Sequence, residues 1–191
     1  SIRMPTDFGD FTLHLYQSKL DGNHHLALVK GDVRGQAAPL VRVHSECLTG
    51  DVFGSRRCDC GPQLHAAMKR IEDEGSGVIL YMRQEGRGIG LEAKIKAYAL
   101  QDVGYDTLDA NLALNLPADA RDYSFCADML RNVGVTQVKL MTNNPLKIRG
   151  LRANGIRVDE RMPHLAGRCE HNDHYLSTKQ KRMGHLIPEQ A

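Results

Sequence analysis

The chain has 191 residues, 41% of them hydrophobic and 25% charged, with a formal net charge of +2. That length and apolar share suffice for one buried core without staples. No apolar run approaches the roughly 20 residues that span a bilayer, and so small a charge does not argue for a generalised nucleic-acid surface.

In chain order, FTLHLYQ (11–17), HHLALVK (24–30) and LVRVHSE (40–46) read as strands from their alternating or β-branched character, broken by the turn-rich DGN and KGDVRGQAAP. PQLHAAMKRIEDEG predicts a helix: Pro62 suits its first turn, Leu64, Met68 and Ile71 form an apolar stripe, and Gly75 or Gly77 ends it. GVILYMR follows as a strand, GLEAKIKAYALQDV and RDYSFCADMLRNVG as helices, QVKLMTN as a strand, PLKIRGLRANG as a helix and IRVDER as a strand. From residue 61 onward helix and strand alternate. The expected fold is therefore α/β, a mixed sheet covered by helices on both faces, with antiparallel strands at the N-terminal side. A single domain over residues 1–170 precedes a charged tail, 171–191, expected to be partly mobile.

Five cysteines is an odd number, and nothing resembles a signal peptide, so the expected home is a reducing cytoplasm. Clustered cysteines there suggest metal or catalysis rather than disulfides. Three of them follow the spacing Cys47-x10-Cys58-x-Cys60. A structural zinc site usually has four protein ligands, whereas three ligands with a fourth position left for water is the catalytic arrangement, in which the bound water ionises near neutral pH. From the residues alone three readings stay open: catalytic zinc, structural zinc with His44 as fourth ligand, and reduced bystanders. Cys126, in an amphipathic helix beside Met129 and Leu130, reads as a buried thiol.

Basic residues gather at Arg56-Arg57, Arg83 and Arg87, Lys94 and Lys96, and Lys147 and Arg149. Charge clusters are ordinarily solvated faces, but several of these adjoin glycine, asparagine or cysteine loops, which points to an anionic ligand. QEGRGIG is such a loop. It is not the dinucleotide fingerprint, yet small residues at a helix start let backbone N–H groups approach an anion, and Arg87 adds a charge-assisted donor. Glu85 beside it could accept hydrogen bonds from an amino-substituted base such as guanine.

Taken in order, RVHSECLTGD, RCDCG, QEGRGIGL, KIKAYALQD, GYDT, PADARDY and LMTNNPLKI closely resemble GTP cyclohydrolase II, the first enzyme of riboflavin synthesis, over nearly the whole chain. The tail HNDHYLSTKQKRMGHL is similar to the end of that family. The resemblance implies that GTP loses carbon 8 as formate and its outer two phosphates as diphosphate, leaving a diamino-ribosylamino-pyrimidinone phosphate. It implies one zinc per chain on Cys47, Cys58 and Cys60, and magnesium with the substrate phosphates. The implied GTP-binding residues are Arg42, Val43, His44, Ser45, Glu46, Gln63, Glu85, Gly86, Arg87, Thr107, Thr142 and Lys147, and the implied catalytic ones are Tyr98, Asp119 and Arg121. A homodimer is implied, without nucleic acid or membrane. Ser1 in place of an initiator methionine leaves open a trimmed chain, or a piece of a longer protein in which a dihydroxybutanone phosphate synthase precedes this unit.

Two places depart from the family pattern: Glu92-Ala93, where leucine-asparagine is common, and Asn115, where glycine is common. Without the resemblance, Tyr98 reads as a core aromatic, because Leu91, Ile95 and Tyr98 share a helical face, and Asp119 and Arg121 read as an ordinary loop ion pair. The resemblance makes Arg121 a nucleophile on the α-phosphorus with Asp119 as proton acceptor. Guanidinium chemistry favours clamping developing phosphate charge instead. The rival functions are a ring-opening relative that stops at the formamide and a zinc-stabilised nucleotide- or RNA-binding module without turnover.

Overall fold

The computed structural model describes residues 1–19, 22–117 and 119–188. The DGN break expected at 21–23 starts outside them, as do Ala118 of PADARDY and 189–191 of the tail. Three strands open the chain, β1 (Ile2–Thr6), β2 (Gly9–Gln17) and β3 (His24–Lys30), followed by β4 (Leu40–Ser45), α1 (Leu48–Asp51), α2 (Cys60–Glu74) and β5 (Gly77–Met82). A 3₁₀ turn at Glu85–Gly88 leads to α3 (Leu91–Asp102), α4 (Thr107–Ala113), α5 (Ser124–Asn132), β6 (Gln137–Met141), α6 (Pro145–Ala153), β7 (Arg157–Met162) and α7 (Asp173–Met183).

The seven strands form one mixed sheet in the order β1-β2-β3-β5-β4-β6-β7. β1, β2, β3 and β5 pair antiparallel, whereas β5, β4, β6 and β7 pair parallel. Alternation decides which face each residue buries. Val78, Leu80 and Met82 of β5 pack with Ala127, Leu130 and Leu151 of α5 and α6, while Ile79 packs with Ala67, Met68 and Ile71 of α2. Helices thus cover both faces of the central strands. β5, GVILYM, reads as an unbroken apolar run because neither of its faces meets water. β1 escaped the sequence reading because it is a short edge strand interrupted by Pro5, a residue tolerated only where no ladder partner is needed on one side.

α3 buries Lys94 and Ala97, not an apolar stripe. Leu91 and Ile95 are 40% and 48% exposed, which removes the reading of Tyr98 as one of a buried row. The helix expected from Arg121 starts at Ser124, whose N–H donates to Asp122 (2.9 Å). Arg121 therefore lies on the loop before the helix. The two departures from the family pattern are locally explained. Asn115 has φ 56°, a left-handed conformation that asparagine tolerates best after glycine. Glu92 is on the surface in an ion pair with Lys96 (2.6 Å).

Candidate active site

β4 lies between β5 and β6. The chain leaves β4 for β5 on one side and later returns to β6 on the other, which makes β4 the switch point of the parallel part of the sheet. Crevices outside the carboxyl ends of such strands are where open α/β sheets bind ligands. A cleft enclosing about 1070 Å³, its mouth included, opens there. It is lined from β4 by Arg42, His44 and Ser45, from the chain just after it by Glu46 and Cys47, from α2 by Cys60 and Gln63, from the glycine turn by Glu85, Gly86 and Arg87, and from α3 by Lys94 and Tyr98. Cys58, Thr107, Arg121, Thr142 and Lys147 also reach it. Of the sequence-predicted residues, Val43 and Asp119 do not. The Val43 side chain is in the core, and its carbonyl oxygen accepts from Lys147 Nζ (2.7 Å).

The ligand atoms of Cys47, Cys58 and Cys60 lie within 4.8 Å of one another, and the Cys47 and Cys58 sulfurs are 3.6 Å apart. Thiolates held tetrahedrally ~2.3 Å from one ion are about 3.8 Å apart, so the spacing suits a single metal. The donor chemistry suits one as well. Hydrogen bonds from the Cys58 and Cys60 thiols and from Lys94 drive Cys47 toward the thiolate, while its contact pushes Cys58 up to about 11. Without a cation only one of the three ionises readily; a divalent ion lets all three do so. Glycine at 50 makes room for the cluster, since a Cβ there would lie 2.8 Å from Cys58 Sγ and 3.2 Å from Cys47 Sγ.

His44 is not a fourth member of the group. Its Nε2 contacts both carboxylate oxygens of Asp51 (3.0 and 3.1 Å), and burial pulls its pKa down. Asp51 also accepts from the Cys47 N–H and the Tyr81 hydroxyl, both at 2.9 Å. This buried carboxylate therefore fixes the backbone of Cys47 from below. Lys94 holds its sulfur instead: Nζ is 3.1 Å from Cys47 Sγ and 2.8 Å from Glu85 Oε1. Glu85 accepts further from the Gly86 N–H (2.8 Å) and the Leu48 N–H (2.7 Å). Three of the roughly four lone-pair positions of a carboxylate are thus filled by the protein.

The opposite wall is cationic. Arg42 donates to the Met141 carbonyl oxygen (3.0 Å) and to Gln63, and burial pulls its pKa down to about 10. Lys147 is 5% exposed, and burial, with Arg42 and Arg121 nearby, lowers its pKa well below that of a free lysine. Arg87 keeps one buried guanidinium nitrogen without a hydrogen-bond partner. Among the described residues, none of these three has a carboxylate partner. Arg121 is different: Asp119 grips it through Nε (2.8 Å) and NH2, and its NH1 reaches Ser45 Oγ (3.3 Å). Arg56, Arg83, Lys96 and Arg149 stay outside the cleft, as solvated charges do. Arg57 pairs with Asp102 and covers the Tyr98 ring at 5.2 Å.

The sequence reading missed Asp51 and Asp59, although both flank the cysteines, and it missed Tyr175, Lys179 and His185. These last three carry no local signal, because α7 has no apolar stripe and reads as a solvated charged tail.

The GTP cyclohydrolase II family model matches residues 1–163. GTP cyclohydrolase-2 of Acinetobacter baumannii (strain AB0057) is 58% identical over 185 residues, which are 96% of this chain and 92% of that protein. That of Acinetobacter baylyi is 57% identical over 185 residues. The riboflavin biosynthesis protein RibBA of Bacillus subtilis is 57% identical over 187 residues, 97% of this chain but 47% of that protein, so the chain spans about half the length of this relative.

Proposed function

The chain belongs to the GTP cyclohydrolase II family, and from that premise we propose that it hydrolyses GTP to a diamino-ribosylamino-pyrimidinone phosphate, formate and diphosphate, with zinc, as the first step of riboflavin synthesis. One observation supports this most: three thiols spaced for one ion share a cleft with Arg42, Arg87 and Lys147, cations that lack carboxylate partners. The thiols suit the base end of the substrate, where the ring carbon is attacked, and the cations suit its triphosphate.

A zinc ion held by Cys47, Cys58 and Cys60 supplies, when bound, Lewis acidity and a water ionised near neutral pH. The rest falls to the chain's own residues. Burial raises the pKa of the Tyr98 hydroxyl, so at neutral pH it is a proton donor that orients water or protonates the departing ring nitrogen. Glu85 offers its remaining lone pair to the N1–H and amino edge of guanine. Burial opposes the charge of Arg121, but Asp119 outweighs it and keeps the guanidinium protonated. Such a group clamps charge developing on the α-phosphate better than it attacks. His44, Ser45, Glu46, Gln63, Gly86, Thr107 and Thr142 complete the nucleotide site in this reading, with magnesium on the phosphates and a homodimer as the assembly.

Among the described residues, no helix is long and apolar enough to cross a membrane. The five cysteines are free, which suits the reducing cytoplasm we assign to the protein.

Incubation with GTP and Mg²⁺, with products identified by mass, tests the proposal. Formate and diphosphate are expected together. A retained formyl group identifies the ring-opening relative instead, and a zinc-loaded protein that binds GTP unchanged identifies the binding module.

A further inference from the structure

The family match ends at residue 163, yet the chain beyond it returns to the cleft. Asn172 is fully buried. Its amide nitrogen donates to the carbonyl oxygens of Cys58 (3.2 Å) and Gly167 (2.8 Å), and its Oδ1 accepts from the Cys169 N–H (2.9 Å). The start of α7 is thus fastened to the backbone of a cluster cysteine. Its far end is fastened twice. Arg182 donates to Asp109 at 2.9 and 3.0 Å and also to Asp106, and the Leu186 N–H donates to the Asn143 carbonyl oxygen (2.8 Å). Within this clamped segment Tyr175, Lys179 and His185 line the same cleft as the cysteines and Arg121.

The Lys179 side chain is 13% exposed and its Nζ is 3.1 Å from Asp59 Oδ1, over the Tyr175 ring at 4.1 Å. An ammonium has three donors; Asp59 takes one and the Tyr175 hydroxyl engages a second. Asp59, between the two cysteines of the C-x-C pair, accepts in turn from Gln63, whose oxygen accepts from Arg42. A chain of polar contacts therefore joins α7 to the cationic wall. His185 lines the same cleft as that wall. Its Nδ1 is buried without a partner, and burial, together with Lys179, Arg87, Arg121 and Lys147, pushes its pKa down to about 3. Asp119 and Asp59 offset two of these cations, Arg121 and Lys179, while Arg87 and Lys147 have no carboxylate partner among the described residues, so the wall retains positive charge for an anion to meet.

We propose that Lys179 is a substrate-binding residue for the phosphate groups of the nucleotide, delivered to the cleft by α7; this rests on the nucleotide reading above. Asp59 and Tyr175 hold the ammonium in place, and a phosphate oxygen takes its remaining donor as a charge-assisted hydrogen bond. The competing account is an ion pair that only fastens α7 to the start of α2.

The full chain, loaded with zinc, is titrated with a Mg²⁺-bound non-hydrolysable GTP analogue and with guanosine, as wild type, Lys179→Met and Lys179→Arg. Lys179→Met is expected to weaken the analogue about ten- to hundredfold and to leave guanosine unchanged, while Lys179→Arg recovers most of the loss. Equal weakening of both ligands, or a lower melting temperature with analogue affinity intact, overturns the assignment. Formate release by the same wild-type sample separates the two readings. A protein that binds the analogue and makes no formate refutes the reaction, and the ratio of affinities still decides Lys179.

Discussion

Gly50→Ala is expected to weaken metal binding while leaving the metal-free fold nearly intact. The residue lies in α1, with no positive φ to make a side chain costly, and alanine favours helix over glycine by about 0.5–1 kcal/mol. The new Cβ, however, would stand 2.8 Å from Cys58 Sγ, 3.1 Å from Cys60 Cβ and 3.2 Å from Cys47 Sγ. Ordinary contact begins at 3.4 Å, so Cys58 Sγ must retreat by 0.6 Å (3.4 − 2.8). In the metal-free protein that is a small side-chain rotation, offset by the helix gain. In the loaded protein it exceeds the roughly 0.2 Å tolerance of a metal–ligand distance. A change next to the ligands typically lowers metal affinity about 10–100-fold. Competition for zinc with a chromogenic chelator measures the affinity, and thermal melting of the stripped protein measures the fold. If the variant holds zinc as tightly as the parent with its melting unchanged, the thiols do not form a metal site of this geometry.

Cys58→Ser is expected to abolish formate while diphosphate release persists, and Arg121→Ala to lose diphosphate, because the metal ligands and the phosphate clamp are separate groups on one cleft; a folded Cys58→Ser protein that releases neither product refutes that separation. Tyr98→Phe should keep fold and GTP affinity, since the ring still packs beneath Arg57, and should slow formate release; an unchanged rate removes Tyr98 from the chemistry. His164→Gln should flatten the acid limb of stability. Burial, then Arg42, pushes the pKa of His164 down to about 4 from its ordinary 6.5, so between those values the unfolded chain binds the extra proton. Stability is full above pH 6.5 and falls as pH drops toward 4, by up to about 3 kcal/mol from this one ring; denaturant melts of parent and variant at pH 7 and pH 4.5 measure it, and equal losses contradict the assignment.

The sequence by itself determined whatever rests on periodicity and spacing. The apolar run of β5 and the alternating, β-branched pattern of β4 read as strands, and the apolar stripe of α2 reads as one side of a helix. Cys47, Cys58 and Cys60 were legible because two neighbours in a C-x-C pair and one strand-end cysteine leave few other uses for three thiols. What the tertiary structure decided was which polar residues meet across the chain. Asp51 joins His44 and Tyr81, partners that touch only because β4 and β5 pair in parallel. Lys94, buried at 8% exposure on a helix whose Leu91 and Ile95 face outward, meets Cys47 across 47 positions. α7 is mostly polar, with Leu176 its one buried large apolar side chain, too little of a pattern to fix where it packs. Its place comes from Asn172, Lys179 and Arg182, each meeting a partner from 73 to 120 positions away. Hydrophobic burial is roughly proportional to area and shows in the sequence as a period, whereas a hydrogen bond between distant side chains depends on the relative placement of two elements, which no local pattern contains.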